Sequence, residues 1–360
     1  MRKLTLLFIA LMVGFAPAIA SAKSQHKTTN AKYSLNKDLG AKYKVAKFKP
    51  NVKTAKVEKR SHTTKVAYSP TVRIKLRKQE QAVYVPPEPT FIEQDDGSGP
   101  LALSSTKALI INQKTGEVIY AKNTKQTTPI ASVTKLMTAM VMLDASLPMD
   151  EVLYISEEDI DYLKGTRSRL SVGTSLARAD MLKLALMSSE NRAASALAHN
   201  YPGGYDAFIR AMNRKATSIG MRSTEFYDAT GLDSNNVSTA EDLAKMVKAA
   251  YKYEDIRHAT TSTSQEMTLL DHEYPVNFVN TNALVRGGEW DIGLSKTGYI
   301  SEAGRCLVMQ AEIAGQPLII VLLDSAGKSS RIGDANRIRK WVEYNSNPTE
   351  SVALAEHVSG

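Results

Sequence analysis

Cysteine is almost absent from this 360-residue sequence, which contains a single one, Cys306. One cysteine cannot form an internal disulfide, so a small disulfide-stabilised fold is excluded. Cys306 lies in an apolar run of the kind that forms buried strands, where a thiol behaves as a small hydrophobic side chain. We therefore expect it to be a core residue and not a nucleophile.

Clustered metal ligands and phosphate-binding loops are also missing. The histidines do not show the short spacings that are typical of metal-ligand motifs. No glycine-rich phosphate loop is present either. The sequence therefore predicts a protein with no metal site and no cofactor. The six histidines are His26, His62, His199, His258, His272 and His357.

Long hydrophobic runs are confined to the amino terminus. Two basic residues precede an apolar run over residues 4–15, and three small residues ending at Ala22 follow it. This pattern predicts a secretory signal peptide over residues 1–22, cleaved near Ala22. A membrane span is the alternative, but Gly14 and Pro17 interrupt a run that is shorter than the roughly 20 residues a span needs. We expect an exported protein of the periplasm or the cell wall.

The charge is divided unequally along the chain. Residues 23–78 contain 17 lysines and arginines against only Asp38 and Glu58, a net charge of +15, whereas residues 79–360 carry −8. Such a basic segment with few large aliphatic side chains is typical of disordered chain. We expect residues 23–78 to bind anionic envelope polymers, with a solvated spacer as the alternative. Nucleic acid would attract the same charge, but export makes it an unexpected physiological partner.

Composition also predicts the domain organisation. A basic, disordered segment over residues 23–83 would be followed by a linker rich in Pro, Gly and acidic residues over 84–100. The folded domain would then span residues 101–345, and 346–360 would form a C-terminal tail.

A serine and a lysine stand in the otherwise apolar helical segment 129–145. Ser132 and Lys135 are three residues apart, so they lie on one helix face, one turn from each other. Burial lowers the pKa of a lysine, and a neutral lysine can take the proton of a serine nucleophile. The alternative is that Ser132 caps the helix while Lys135 extends to solvent. The Ser-x-x-Lys motif also occurs at Ser24, Ser34, Ser104 and Ser325.

Strand and helix patterns indicate one sheet with helices packed against it. Early and late strands enclose a run of helices, and Ser238 with Glu241 has the spacing of a capping box for one of them. We predict an α/β (α+β) fold with an antiparallel five-stranded sheet and flanking helices. The strand patterns cover the hairpin 107–123 and the runs 293–300, 305–313 and 317–323; the helical patterns cover 132–145, 179–187, 192–200, 205–219, 239–251 and 331–344.

Three short motifs follow one another along these elements. They are Ser132-Val133-Thr134-Lys135, Ser189-Glu190-Asn191 and Lys296-Thr297-Gly298. A helix start, an interhelical break and a late strand carry them, in the order found in penicillin-binding proteins and class A β-lactamases. Over about residues 101–344 the chain resembles the low-molecular-mass penicillin-binding proteins, which are serine-type D-alanyl-D-alanine peptidases, and most of all the D-alanyl-D-alanine endopeptidases. The resemblance implies a β-lactamase/transpeptidase-like fold with its site between the edge strand of the sheet and the helices.

The resemblance also implies catalytic roles. Ser132 would attack the carbonyl of a D-alanyl peptide bond, and Lys135 would accept its proton. Ser189 would relay that proton to the leaving amine. The backbone N–H groups of Ser132 and Tyr299 would form the oxyanion hole.

Substrate-binding roles follow from the same resemblance. Asn191 would bind the backbone amide of the substrate, Lys296 would supply positive charge, and Thr297 and Gly298 would line the edge strand, where glycine permits close approach. Structural roles are the alternatives: Asn191 as a cap at the helix break, Lys296 as a solvated strand end and Thr297 as a β-forming residue.

The expected activity is endopeptidase cleavage of the D-alanyl cross-links of peptidoglycan, with β-lactams as inhibitors. Only 62 residues follow Gly298, too few for the second β-rich domain and the amphipathic anchor of many carboxypeptidase relatives. A D,D-carboxypeptidase of the same family and a non-catalytic cell-wall or β-lactam-binding module are the alternatives. A β-lactamase is less favoured because no Glu-x-x-Leu-Asn pattern is present.

Overall fold

The computed structural model describes residues 99–269 and 274–346. The predicted signal peptide, the predicted basic segment, nearly all of the predicted linker and the tail after Ser346 therefore lie outside the described residues. No described helix is both long enough and apolar enough to cross a membrane.

Five long strands form the central sheet. Its strand order is β2-β1-β11-β10-β9, and all four pairings are antiparallel, which confirms the predicted five-stranded sheet. Three further pairs of short strands, β3–β6, β4–β5 and β7–β8, had no clear sequence signal because each strand has only two to four residues. The strands of the described residues are β1 (Lys107–Asn112), β2 (Val118–Lys122), β3 (Thr128–Pro129), β4 (Val152–Tyr154), β5 (Ser175–Ala177), β6 (Val237–Ser238), β7 (Ser264–Met267), β8 (Val276–Val279), β9 (Asp291–Ile300), β10 (Gly304–Ile313) and β11 (Gln316–Ser325).

Five of the six predicted helical segments agree with observed helices to within a few residues, and the first helix starts later than predicted. Two further short helices were not predicted from the sequence. The additional helices have only eight and five residues, about two turns or fewer, so their apolar periodicity is weak in the sequence. The helices of the described residues are α1 (Lys135–Asp144), α2 (Arg178–Met187), α3 (Asn191–His199), α4 (Gly204–Ser218), α5 (Ala240–Ala250), α6 (Glu254–Thr261), α7 (Ala283–Gly287) and α8 (Ser330–Ser346), with 3-10 turns at Ala131–Thr134 and Glu157–Asp159.

The predicted capping box at the start of α5 is wrong by one residue. Thr239 is the N-cap, and its side chain accepts a hydrogen bond from the N–H of Asp242 at 3.2 Å. Ser238 instead belongs to β6, and its hydroxyl is 2.7 Å from that of Thr224. Pairing between β3 and β6 has therefore moved the helix start one residue along the chain.

The sheet is covered on both faces, which explains the uninterrupted apolar sequence of its middle strand. Along β11, Ile319 and Val321 belong to the core shared with α1 to α5, whereas Ile320 and Leu322 pack with α8. A strand that is buried on both faces needs apolar side chains at every position, because successive side chains point to opposite faces. Among the strands of residues 99–269 and 274–346, β9 is an edge strand that pairs only with β10, and it faces the 3-10 turn that precedes α1.

Candidate active site

Ser132 lies in the 3-10 turn before α1 and not in the α-helix itself, which corrects the predicted helix start. The pairing of β3 with β6 fixes the chain just before this turn, and the N–H of Ile130 donates to the carbonyl oxygen of Asn236 at 3.1 Å. Ala131 then adopts a left-handed conformation with φ of 47°, which costs an L-residue roughly 1–2 kcal/mol. Contacts with distant parts of the chain, and not local capping, therefore position Ser132.

Gly231 packs against this turn so closely that no side chain fits. Its φ is 82°, and an added Cβ would lie 1.9 Å from the carbonyl oxygen of Ala131. We expect Gly231→Ala to lower the free energy of unfolding by more than about 4 kcal/mol, because the backbone of one segment must move.

Gly116→Ala is the matched control for that substitution. Gly116 has a similar φ of 79°, with nothing within 4 Å of the position of a Cβ. Its cost should be only the roughly 1–2 kcal/mol of the left-handed conformation. Urea denaturation measures both changes, and equal losses of stability would contradict the collision at Gly231.

Lys135 is buried, with 1% of its surface exposed. Its Nζ is 2.9 Å from Ser132 Oγ, 2.7 Å from Asn191 Oδ1 and 2.6 Å from the carbonyl oxygen of Thr230. Burial lowers the pKa of Lys135 from 10.5 to about 7, although the carboxylates of Asp228 and Glu190 oppose this shift. Near neutral pH a large fraction of Lys135 is therefore the uncharged amine.

This geometry contradicts the alternative in which Ser132 caps the helix and Lys135 extends to solvent. Lys135 does not extend to solvent, and the side chain of Ser132 makes no helix-capping hydrogen bond. A neutral amine has two N–H groups and one lone pair. The two N–H groups can bind the oxygens of Asn191 and Thr230, which leaves the lone pair for the hydroxyl proton of Ser132.

The second motif occupies the break between α2 and α3. Ser189 has φ of 62°, a left-handed conformation that turns the chain sharply. Its Oγ accepts a hydrogen bond from Lys296 Nζ at 2.9 Å. Asn191 is the first residue of α3 and not its cap, and its Nδ2 donates to Thr166 Oγ1 at 2.9 Å. Both ends of the Asn191 amide are thus engaged, which holds Oδ1 toward Lys135.

The third motif lies in the second half of the ten-residue edge strand β9. Lys296 is buried, which contradicts the alternative that it is a solvated strand end. Its Nζ also donates to the carbonyl oxygen of Thr297 at 2.9 Å. Burial lowers the pKa of Lys296 well below its usual value, and the nearby charges of Lys135 and Arg331 lower it further.

Gly298 brings β9 into contact with the Ser132 turn. An added Cβ at Gly298 would lie 3.0 Å from the backbone nitrogen of Ser132, so a larger residue would require the strand or the turn to shift by a few tenths of an ångström. Thr297 Oγ1 donates to Thr281 Oγ1 at 2.7 Å. The neighbouring Tyr299 is 57% exposed, and the guanidinium of Arg305 lies 4.5 Å from the centroid of its ring.

The three motifs therefore come together in two hydrogen-bonded groups that meet at the second motif, which supplies both Ser189 and Asn191. Lys135 joins Ser132 to Asn191, and Lys296 joins β9 to Ser189. Two buried lysines with lowered pKa values face two serine hydroxyls. This arrangement can supply a nucleophile, a general base and a proton relay without a metal ion. Within residues 99–269 and 274–346, no group of three or more potential metal ligands is present.

Sequence reasoning missed several residues that hold the cluster in place. The carboxylate of Asp228 accepts hydrogen bonds from the N–H of Gly231 at 2.8 Å and from Asn236 Nδ2 at 2.6 Å. It thereby fixes the turn whose Thr230 carbonyl binds Lys135. An aspartate three residues before a glycine is a turn signal, but that signal alone does not indicate contact with a buried lysine.

Glu190 and Arg331 were also missed as site residues. Glu190 is buried in the middle of the second motif, where it accepts from Ser168 Oγ at 2.7 Å and from Arg169 Nε at 3.2 Å. Arg331, at the start of α8, donates to the carbonyl oxygen of Gly298 at 3.4 Å. Burial lowers the pKa of Arg331. Glu190 occupies the variable position of the Ser-x-Asn motif and Arg331 belongs to no motif, so the sequence pattern assigned a role to neither residue.

Comparison with known proteins gives concordant matches. The D-alanyl-D-alanine endopeptidases of Pseudomonas aeruginosa and Escherichia coli are each 47% identical to this chain over 241 residues, which is 67% of this chain and 78% of the relative. The solved Streptomyces K15 DD-transpeptidase matches with a TM-score of 0.62 and 27% identity, over 67% of this chain and 97% of that one. Penicillin-binding protein D2 of Listeria monocytogenes, solved in its ampicillin-bound form, matches with a TM-score of 0.57 and 28% identity. The match again covers 67% of this chain and 97% of that chain.

The family assignment agrees with the fold and with the order of the three motifs. Residues 93–327 match the family described as D-alanyl-D-alanine carboxypeptidase, a span of more than half the chain. This protein therefore belongs to the D-alanyl-D-alanine carboxypeptidase family of serine peptidases.

Proposed function

We propose that this protein is a serine D,D-endopeptidase that hydrolyses D-alanyl cross-links in peptidoglycan through an acyl-enzyme. The observation that carries the proposal is the Lys135 amine, whose pKa is about 7 and which lies 2.9 Å from Ser132 Oγ. General bases work best when their pKa is near the working pH, and a serine becomes nucleophilic when such a base takes its proton.

Acylation starts with neutral Lys135 taking the proton of Ser132 as Oγ attacks the D-alanyl carbonyl carbon. The developing negative charge on the carbonyl oxygen is stabilised by the backbone N–H groups of Ser132 and Tyr299. The close approach of Gly298 to the Ser132 backbone supports this pairing. The edge position of β9 supports an extended substrate that adds as a further strand.

The leaving amine takes up the proton that Ser132 lost, and Ser189 relays it. The C–N bond breaks, the amine departs and the acyl group remains as an ester on Ser132. Water then attacks the ester with Lys135 again as the base, which releases the carboxylate product and restores the serine. Lys296 supplies positive charge beside Ser189, and an anionic group of the substrate would raise its lowered pKa again.

Endopeptidase activity is favoured over carboxypeptidase activity by the 47% identity to proteins that are named endopeptidases, against 29% for a carboxypeptidase of Bacillus subtilis. Digestion of cross-linked peptidoglycan followed by muropeptide analysis tests this preference. We expect dimers to be converted to monomers. Release of D-alanine from monomeric pentapeptides with no loss of dimers would assign carboxypeptidase activity instead.

β-Lactams are proposed as inhibitors that acylate the same serine. The ampicillin-bound form of the similar Listeria penicillin-binding protein supports this proposal. A β-lactam contains a strained amide whose carbonyl Ser132 would attack, and its opened ring stays attached to the acyl group.

The proposal also includes export of the protein and its attachment to the cell envelope through the basic segment. Residues 1–22 would direct export and be cleaved near Ala22, residues 23–83 and 84–100 would form the basic segment and the linker, and 101–345 would be the catalytic domain. The +15 charge of residues 23–78 supports binding to anionic envelope polymers, because a strongly basic segment attracts polyanions.

Removal of the basic segment tests this attachment. A chain beginning at Pro100 should still be acylated by β-lactams but should no longer sediment with cell envelopes at low salt. The full mature chain should sediment at low salt and be released as the salt concentration rises, because added ions screen exposed charges. Equal sedimentation of the two chains at low salt would mean that the segment is only a spacer.

A further inference from the structure

A cavity of about 450 Å³ opens beside the candidate site, between residues 167–169 and the turn formed by residues 188–191. Ser189 and Asn191 line both the cavity and the candidate site. The cavity is therefore a direct extension of the catalytic cleft on the side of Ser189.

The cavity carries positive charge that the protein does not neutralise. Glu190 is compensated, because Ser168 Oγ and Arg169 Nε both donate to its carboxylate. Arg169 is further fixed by Phe278, whose ring centroid is 4.1 Å from the guanidinium carbon. The side chain of Arg167 is exposed, and in the part of the chain that the structure describes it forms no ion pair. One guanidinium is thus free to bind an anion.

A second cavity, of about 340 Å³, is also lined by Asn191 and has the reverse charge, because Glu158, Asp161 and Asp233 are among its lining residues. A peptide that carries free carboxylates would therefore be repelled from this second cavity and attracted toward Arg167.

The position of the cavity indicates which part of a substrate it would hold. In the proposed mechanism Ser189 passes a proton to the leaving amine, so the leaving group lies on the Ser189 side of Ser132. A carboxypeptidase releases a single D-alanine there, whereas an endopeptidase releases a whole second peptide stem, which needs space beyond Ser189.

We propose that this cavity binds the leaving peptide stem of a cross-link and that Arg167 contacts a free carboxylate of that stem. The inference rests on the proposed endopeptidase function and assigns a residue that distinguishes cross-links from monomeric substrates. Lys296 and Arg331, by contrast, contact Ser189 and Gly298, so in the proposed mechanism they would lie close to the scissile bond of either kind of substrate.

The test compares two substrates with two charge reversals in the full mature protein. Arg167→Glu should lower kcat/KM for cross-linked muropeptide dimers about tenfold or more, because a charge-assisted hydrogen bond is lost and a repulsive charge is added. D-Alanine release from monomeric pentapeptide should fall by a clearly smaller factor. Arg222→Glu, the same change at an exposed arginine in the loop before α5, is the matched control and should alter neither rate.

A second measurement uses the substrate instead of the protein. Dimers whose free carboxylates have been amidated should be cleaved more slowly than unmodified dimers by the unaltered protein. Arg167→Glu should cleave the amidated dimers at least as fast as the unmodified ones, because amidation removes the repulsion between the introduced carboxylate and the substrate. Arg167→Lys, which keeps the charge, should retain most of the preference for unmodified dimers.

Three results would overturn the inference. They are an unchanged rate on dimers in Arg167→Glu, a loss of the same factor on both substrates, and equal cleavage of amidated and unmodified dimers by the unaltered protein. Failure of the proposed function would be visible before any variant is made, because the unaltered protein would then cleave no dimers at all.

Discussion

Labelling of the protein by a β-lactam should disappear completely in Ser132→Ala. Ser132 Oγ is the hydroxyl that Lys135 contacts, and alanine has no oxygen that could form the ester. Intact-mass measurement after incubation with penicillin shows the result directly, as loss of the added mass of one inhibitor molecule. The variant should also cleave no cross-linked dimers.

Ser104→Ala is the matched control, because Ser104 and Lys107 have the same spacing as Ser132 and Lys135. In that motif the lysine binds Asp324 at 3.0 Å and not the serine. Ser104→Ala should therefore be labelled as fully as the unaltered protein. Labelling that persists in Ser132→Ala would mean that another residue is the nucleophile.

Lys135→Ala should slow acylation by about 10²–10⁴-fold, the usual contribution of a general base. The fold should survive, because the substitution removes a buried amine whose desolvation is unfavourable. Stopped-flow measurement of β-lactam acylation gives the rate, and thermal unfolding checks the fold. Lys107→Ala is the matched control and should acylate at close to the normal rate.

The pH dependence of acylation provides an independent test of the same base. Only the neutral amine of Lys135 can accept a proton, so the acylation rate of the unaltered protein should rise through a midpoint near pH 7. That rise should be absent from the residual rate of Lys135→Ala. A rate that is flat in the unaltered protein between pH 6 and pH 8, about one unit on either side of this pKa, would contradict Lys135 as the base.

The lowered pKa of Lys135 also has a consequence for stability. Between about pH 7 and 10.5 an unfolded chain keeps this lysine protonated while the folded chain does not. The unfolded state then binds more protons, so the contribution of Lys135 to stability increases as the pH rises through this window. Below about pH 7 both states are protonated and the burial of the charge is fully unfavourable.

Local sequence patterns determined the central sheet, the main helices and the order of the three motifs. The apolar runs of β9, β10 and β11 and the helical spacing of α2, α4 and α5 are properties of short windows, so they can be recognised without knowledge of the partners. The family resemblance rests on the same local features, because each motif is only three or four residues long.

Only the tertiary structure decided how these motifs act together. The burial of Lys135 and Lys296 lowers their pKa values, and that burial comes from segments far away in the chain, including the turn at Thr230 and the strand β9. The same is true of the left-handed Ala131 and of the helix cap at Thr239, both of which depend on the pairing of β3 with β6. Such contacts join residues about a hundred positions apart and have no local period, whereas a hydrophobic pattern depends only on near neighbours. The sequence therefore determined which functional groups are present and on which elements they lie. The packing of those elements determined the protonation states of these groups and which of them contact one another.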